Sequence, residues 1–155
     1  MEVYIEVSRG SNIKYEFDKE NKILKVDRIL HNTNTFPYNY GFIPNTLAPD
    51  GDPLDVIVIS DYSFTPGCIV SCKILGGIQV EDEGGKDDKI ICVLEDKLDP
   101  KSKKYQEIMD INEEELKNII YFLNHYKDGE SDKFINVGNV YNRETALSFI
   151  EDCCK

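Results

Sequence analysis

The sequence lacks several features that would restrict its class. Among 155 residues it has no tryptophan, two methionines and two histidines. It also has no run of about 18 consecutive apolar residues, so it predicts no membrane-spanning helix. The start, Met1-Glu2-Val3-Tyr4, lacks the basic segment and following apolar run that are typical of a signal peptide. We therefore expect a cytoplasmic protein.

Positive charge is also scarce. Eighteen Lys and Arg residues oppose 29 Asp and Glu residues, which gives a formal net charge of −11. This excess disfavours binding to nucleic acids and anionic membranes, because their phosphates would be repelled. The five cysteines, which include the adjacent Cys153 and Cys154, are an odd number in a chain large enough to form its own core. Reduced thiols are the simplest interpretation.

Short strands separated by turn residues are predicted for most of the chain. Alternating apolar and polar residues, or short apolar runs, predict strands at 3–7, 13–17, 23–29, 54–60, 68–75, 90–94 and 134–140. No repeat, low-complexity tract or flexible linker divides the sequence. Residues 1–155 are therefore predicted to form a single domain.

Two helices are predicted near the C-terminal end. The first follows Asn112, where three glutamates indicate a capping box, and ends near Lys127, shortly before Gly129. The second opens at Asn142 and carries apolar residues on one side. Early strands and late helices predict a mainly β fold with flanking helices, built as a small closed barrel plus two principal α-helices.

Two acidic segments are the most informative part of the sequence. The run Asp50-Gly51-Asp52-Pro53-Leu54-Asp55 would deliver carboxylates from a tight loop at a strand entrance. A second run, 81–88, has five acidic residues among eight. If both loops converge, they form an oxygen-only site that suits a hard cation such as Mg²⁺. If they do not, the first is a solvated acidic turn and the second an ordinary hairpin loop around Gly84-Gly85.

Basic and phenolic side chains accompany these acidic loops. Cations and hydroxyl donors opposite a metal cluster are what a multiply charged phosphate ligand requires. Taken singly, each has an ordinary explanation, such as an exposed strand residue or a salt-bridge partner. The candidates are Lys14, Arg28, Tyr40, Lys89, Tyr126 and Lys127.

Together, the motifs resemble those of family I soluble inorganic pyrophosphatases of the bacterial type. The resemblance implies an OB-like β-barrel flanked by helices, a homohexamer, and Mg²⁺-dependent hydrolysis of pyrophosphate to two orthophosphates. It rests on five runs in the family's order: Ile-Lys-Tyr-Glu (13–16), Val-Asp-Arg (26–28), Asn-Tyr-Gly-Phe-Ile-Pro (39–44), Asp-Gly-Asp-Pro-Leu-Asp-Val (50–56) and His-Tyr-Lys-Asp (125–128).

The resemblance also implies roles for individual residues. Asp52 would accept the proton of the attacking water, and Asp55 would be shared between two metals. Several Mg²⁺ ions are expected per site, with Mn²⁺ or Zn²⁺ as substitutes. Glu6 and Glu16 would support the metals through bound water. The other metal ligands would be Asp50, Asp82 and Asp87, and the phosphate-binding groups would be Lys14, Arg28, Tyr40, Lys89, Tyr126 and Lys127.

The match has departures, and three further functions stay open from the residues alone. Phe36 stands where the family often has a tyrosine, with Tyr38 as a nearby replacement for the hydroxyl, and Tyr121 stands where some relatives carry a histidine. A noncatalytic Ca²⁺-binding β-domain would need the acidic loops but not Lys14 or Arg28. A metal-dependent nucleotide hydrolase would also need a platform for the base, and a nucleic-acid-binding barrel is disfavoured by the acidic charge.

Overall fold

Strands dominate the first two thirds of the chain, as the hydrophobic pattern predicts. A computed structural model describes residues 1–155. Two short 3₁₀ segments, Pro100–Lys104 and Ile108–Asp110, precede the first α-helix. The strands are β1 Glu2–Val7, β2 Ile13–Asp18, β3 Ile23–Ile29, β4 Asn39–Ile43, β5 Leu54–Ile59, β6 Ile69–Asp82, β7 Gly85–Lys86, β8 Lys89–Leu94 and β9 Ile135–Asn142, and the helices are α1 Glu113–His125 and α2 Arg143–Cys153.

Five of these strands form a ring. Strand β1 pairs with both β4 and β6, and the order β1-β4-β5-β8-β6 completes the circuit. Only the β5–β8 pair is parallel. Strands β7 and β9 each pair with β6, while β2 and β3 form a separate two-stranded sheet. The predicted mainly β fold with two principal helices is confirmed, and the ring is barrel-like in part.

The largest differences from the predicted strands are at β4 and β6, and each contains a glycine in close contact with another backbone segment. A Cβ atom on Gly41 would lie 1.8 Å from the Tyr4 carbonyl oxygen, and one on Gly76 would lie 2.4 Å from that of Tyr141. Strand β4, which the alternation pattern does not predict, is buried along its whole length and so shows no alternation. The pattern predicts that β6 ends at residue 75, but the strand continues to Asp82, with Gly76 admitting β9 alongside it.

Two apolar clusters lie on the two sides of the sheet. One joins Ile57 and Ile91 to the buried face of α1, and the other joins Val56 and Ile90 to the buried face of α2. Successive residues of β5 and β8 therefore face opposite clusters, as a strand's period of two requires. The ring is thus supported by a helix on each side.

The predicted helices are present with small differences at their ends. The Asn112 Oδ1 atom accepts a hydrogen bond of 2.8 Å from the Glu114 amide, but the predicted capping box is incomplete because Glu115 does not bond back. Helix α1 ends at His125 rather than near Lys127, and Gly129 follows with a φ of 90°. No helix is both long enough and apolar enough to cross a membrane.

Candidate active site

A polar cavity of about 550 Å³ opens beside the strand ring, and only 4 of its 23 lining residues are hydrophobic. Both acidic loops reach it, so they do not lie at opposite ends of the molecule. Residues from β1–β6, β8 and the segment after α1 meet here. All the candidate residues line it: Glu6, Lys14, Glu16, Arg28, Tyr40, Asp50, Asp52, Asp55, Asp82, Asp87, Lys89, Tyr126 and Lys127.

Neighbouring strands supply one side of the cavity, which we call the strand wall: Glu6 on β1, Tyr40 on β4, Asp55 on β5 and Lys89 on β8. Asp55 and Lys89 face each other directly in the parallel β5–β8 register. The register of β1 shifts between Ile5 and Val7, so Glu6 lies at an irregularity of the strand. Such irregularities redirect side chains, and this one accompanies a carboxylate that is buried at the cavity.

Loops and the short β6–β7 hairpin supply the second side, which we call the loop wall: segments 50–53, 82–87 and 126–133. In the first segment, Gly51 has a φ of 90° and the Asp52 amide donates to Asp50 Oδ1 at 3.0 Å. This local bond tightens the turn that carries two of the candidate carboxylates. The β2–β3 hairpin completes the cavity, with Lys14 opposite Arg28 in the antiparallel register.

Lys89 forms the most buried ion-pair arrangement in the site. Its side chain is 2% exposed, and its Nζ atom lies 2.6 Å from Asp55 Oδ2 and 2.8 Å from Asp87 Oδ2. Burial alone would lower the pKa of Lys89, but Asp55 and Tyr40 hold it well above its usual range. Lys89 is therefore a fixed cation between two candidate metal ligands.

The two carboxyl groups beside Lys89 differ in their pKa. Burial raises the pKa of Asp55, but the nearby Lys89 and Lys14 outweigh burial and hold it below its ordinary value. Burial raises the pKa of Asp87 to about 7, although Lys89 acts in the opposite direction. The charged form of Asp55 is therefore favoured by its surroundings, whereas the charged form of Asp87 is disfavoured.

Three further carboxyl groups have a raised pKa. Burial raises that of Glu6 to about 7, despite a 2.8 Å hydrogen bond from the Phe17 amide. Burial, followed by repulsion from Asp50 and Asp55, raises the pKa of Asp52. Burial also raises the pKa of Glu16, although Lys14 acts against it. Burial is thus the main cause of the raised pKa at these three groups, and the nearby cations do not offset it.

The donor chemistry fits hard divalent cations, although no three His, Cys, Asp or Glu side chains are close enough together to form a metal cluster. The candidate ligands offer only oxygen atoms, which Mg²⁺ prefers. Burial, and to a lesser extent neighbouring carboxylates, raises the pKa of several of these groups, and a bound cation would favour their charged forms. Lys89 Nζ donates to both Asp55 and Asp87 and so holds these two carboxylates together.

The candidate basic residues of the site, Lys14, Arg28, Lys89 and Lys127, are each paired with a carboxylate. Lys127 Nζ lies 3.1 Å from Asp82 Oδ2, Lys14 Nζ lies 3.5 Å from Asp27 Oδ2, and Arg28 Nε lies 3.2 Å from Glu130 Oε1. These pairs hold the cations at the cavity, where an anionic ligand could contact them.

Sequence reasoning missed several of these partners. Asp27, Glu83 and Lys133 line the cavity, and Lys127 and Lys133 both lie within 4 Å of Glu83. Asp27 lies inside the Val-Asp-Arg run and Glu83 inside the acidic run 81–88, so the sequence motifs alone could have identified both as site residues. No sequence motif indicates Glu130 or Lys133, since their partners are distant in the sequence.

Phe36, which stands where the family often has a tyrosine, does not line the cavity. Phe36 is 2% exposed and packs with its ring centroid 4.7 Å from that of Phe122 and 5.5 Å from that of Tyr40. Tyr38, the nearby candidate for the missing hydroxyl, does not line the cavity. Burial raises its pKa to about 12, with Glu115 acting in the same direction. Tyr38 therefore does not replace the missing hydroxyl at this site.

Comparisons with known proteins match nearly the whole chain. The family model described as inorganic pyrophosphatase matches residues 3–155. A relative from Helicobacter pylori with the same description is 43% identical over 153 residues, which cover 99% of this chain and 88% of the relative. One from Saccharolobus solfataricus is 44% identical over 135 residues, covering 87% of this chain and 78% of that protein.

Solved structures give the same result. A structure of the inorganic pyrophosphatase from Helicobacter pylori superposes with a TM-score of 0.96 at 42% identity, covering 99% of this chain and 90% of that one. The structure from Thermus thermophilus superposes with a TM-score of 0.94 at 38% identity, covering 99% and 88%.

Proposed function

The chain belongs to the inorganic pyrophosphatase family, a family of hydrolases, and on that premise we propose that it hydrolyses inorganic pyrophosphate to two orthophosphates with divalent cations. The observation that carries the proposal is the meeting of many carboxylates and several cations around one polar cavity. An acidic protein cannot hold a polyanion through carboxylates alone. Metal ions between them would remove this conflict, and the lysines and arginine would contact the remaining phosphate oxygens.

Mg²⁺ is the cation proposed, with Mn²⁺ or Zn²⁺ as substitutes. Asp50, Asp55 and Asp87 would hold the first ion, Asp55 would also contact a second, and Asp82 with Asp87 would hold a further ion. Glu6 and Glu16 would contribute through bound water. When bound, such ions neutralise phosphate charge and make water more acidic. Burial raises the pKa of Glu6 and Asp87 to about 7, and a bound cation would stabilise their charged forms, which supports this assignment.

Asp52 is proposed as the general base that accepts the proton of the attacking water. Its side chain lies on the loop wall, where water can approach it. Burial and the charges of Asp50 and Asp55 raise its pKa. A carboxylate with a raised pKa is a stronger base than an ordinary one, which supports the role. The attack would be direct and in line, without a covalent intermediate.

Substrate binding is assigned to the cationic and phenolic groups. Lys89 keeps its charge because of its two aspartate partners, and its Nζ atom lies 5.5 Å from the ring centroid of Tyr40. These contacts preorganise positive charge toward the phosphate oxygens, which is where most phosphoryl-transfer catalysis arises. The full proposed set is Lys14, Arg28, Tyr40, Lys89, Tyr126 and Lys127.

A phosphate-release assay tests this function against its rivals. Pyrophosphate, ATP and tripolyphosphate are each supplied with Mg²⁺, Mn²⁺, Zn²⁺ or Ca²⁺. We expect the fastest release from pyrophosphate with Mg²⁺. Faster release from ATP would favour a nucleotide hydrolase, and no release from any substrate would favour a noncatalytic metal-binding domain.

A homohexamer in the cytoplasm is proposed from the resemblance to bacterial members. Large apolar side chains on the surface support assembly, since Val26, Met109 and Tyr121 are 59%, 81% and 60% exposed. All five cysteines are free thiols, in keeping with a reducing compartment. Light scattering should give six times the chain mass of 17.8 kDa, and a monomeric mass would contradict the hexamer.

A further inference from the structure

Glu130 lies in the segment after α1 and is the ion-pair partner of Arg28. Its Oε1 atom is 3.2 Å from Arg28 Nε, and the two side chains are 24% and 15% exposed respectively. The pair joins residues that are about one hundred positions apart in the sequence. Glu130 does not itself line the cavity, whereas Arg28 does. The carboxylate therefore contacts the arginine from outside the cavity wall.

The pair leaves hydrogen-bonding groups unused on both partners. Arg28 Nη1 and Glu130 Oε2 are buried and have no hydrogen-bond partner. Such groups cost stability, so a pair that served stability alone would be expected to satisfy both ends. A guanidinium has five N–H donors in a rigid fork, and Glu130 faces only the Nε position. Because the Arg28 side chain also lines the cavity, its guanidinium keeps capacity for another acceptor there.

A second set of contacts ties the same two segments together. Asn32 Nδ2 donates to the Asp128 carbonyl at 3.2 Å, and Asn34 Nδ2 donates to the His125 carbonyl at 3.4 Å. The chain after β3 is thus attached to the end of α1. Arg28 also lies with its Cζ atom 5.9 Å from the ring centroid of Tyr126. The two asparagine bonds hold the segments together, while the Tyr126 ring and the Glu130 carboxylate are the groups that contact the Arg28 side chain itself.

We propose that Glu130 is a positioning residue, which orients the Arg28 guanidinium so that it binds a phosphate oxygen of the substrate. This inference rests on the proposed function, since it concerns binding of pyrophosphate at the same cavity. A bidentate contact between arginine and phosphate depends on the orientation of the planar fork, so a fixed guanidinium binds better than a mobile one.

Removing the charge of Glu130 distinguishes positioning from simple electrostatics. A carboxylate near a polyanion repels it, so Glu130→Gln should strengthen substrate binding if Glu130 acts only through its charge. If Glu130 orients Arg28, the same substitution should weaken binding and turnover. The two explanations thus predict changes of opposite sign.

The test compares four proteins by kcat/KM for pyrophosphate and by calorimetric affinity for inorganic phosphate with Mg²⁺. They are wild type, Glu130→Gln, Arg28→Ala and the double variant. Asp128→Asn is the matched control, because it removes the same charge from the same segment while its side chain is 57% exposed and pairs with His125. We expect about a tenfold loss of kcat/KM in Glu130→Gln and less than about a twofold change in the control.

The double variant decides how Glu130 acts. If it acts through Arg28, adding Glu130→Gln to Arg28→Ala should change neither readout. An equal loss in both backgrounds, or an unchanged or higher kcat/KM in Glu130→Gln alone, would overturn the inference. Absence of phosphate release by the wild type would instead overturn the proposed function. If Glu130→Gln does not fold, Glu130→Asp replaces it in the same cycle, with a loss expected because the shorter side chain retracts from Arg28.

Discussion

The strand wall and the loop wall of the cavity are built by different means. On the strand wall, strand register places Lys89 beside Asp55, and Lys89 is 2% exposed. On the loop wall, side chains are placed by ion pairs, such as that of Lys127 with Asp82, and by hydrogen bonds within turns, such as that from the Asp52 amide to Asp50. We infer that substitutions in the strand wall affect both stability and activity, while those in the loop wall affect mainly activity.

Metal removal should have the largest effect on activity and little effect on the fold. We expect a chelator such as EDTA to abolish phosphate release while the far-ultraviolet circular dichroism stays unchanged. The apolar clusters that support the ring do not include the cavity carboxylates, so folding does not depend on metal. Adding Mg²⁺ back is the control and should restore release. Loss of the dichroism signal on chelation would show that the core depends on metal.

Substituting Lys89 should show how strongly the strand wall contributes to stability. Lys89→Met leaves Asp55 and Asp87 without their shared cation, and we expect a loss of about 3–5 kcal/mol in the free energy of unfolding. Lys25→Met is the matched control, because Lys25 forms a 2.8 Å pair with Asp18 but is 58% exposed. That variant should lose less than about 1 kcal/mol. Equal losses in urea unfolding would contradict the distinction by burial.

The stability of the metal-free protein should decrease as the pH rises. The pKa of Glu6 and of Asp87 is about 7 in the folded protein, above the ordinary values of these groups. The folded state therefore binds more protons than the unfolded state. The stability that these two groups contribute is fully present below about pH 4, and it decreases as the pH rises through about 7. Urea unfolding at pH 5 and pH 8 should differ by on the order of 2 kcal/mol for each of the two groups.

Asp87→Asn provides the control for this pH dependence. The amide does not titrate, so the variant should show a smaller difference between pH 5 and pH 8 than the wild type. Mg²⁺ should also reduce the difference, because a bound cation favours the charged carboxylates. A metal-free wild type that is equally stable at both pH values would contradict the raised pKa of these groups.

The smallest effect is expected at the start of α1, the helix that leads into the loop wall. Asn112→Ala removes the side chain that accepts from the Glu114 amide at 2.8 Å, which should cost about 1 kcal/mol of stability. Phosphate release should stay unchanged, because Tyr126 and Lys127 lie beyond the opposite end of the helix. Asn124→Ala, an exposed helix substitution, is the control. Reduced release by Asn112→Ala in the folded state would show that the cap also positions the loop wall.

The sequence predicts most of the strand wall because its signals are local. Apolar residues at 54–60 and 90–94 predict the two strands that carry Asp55 and Lys89, and their bounds differ from the observed ones by one residue. Strand β4 is missed because every position is buried, so burial on both faces removes the alternation. The predicted strand 68–75 stops one residue before Gly76, because the close approach of Tyr141 that requires this glycine comes from far along the chain.

The loop wall is predictable in composition but not in its pairings. The acidic runs around Asp52 and Asp82 identify the carboxylates, but nothing near Lys127 in the sequence indicates that Asp82 is its partner. The same holds for Glu130 and Arg28, which meet only after the chain has folded. Residue types therefore predict the chemistry of the site, while its ion pairs depend on tertiary structure.

The most direct test of the account is turnover by Asp52→Asn, measured with pyrophosphate and saturating Mg²⁺ alongside calorimetric Mg²⁺ binding. We predict a loss of about 10²–10⁴-fold in kcat, with Mg²⁺ affinity and urea stability close to those of the wild type. That result would support Asp52 as the base on a loop that contributes little to stability. Near-normal phosphate release by the variant would eliminate Asp52 as the base and contradict the proposed mechanism.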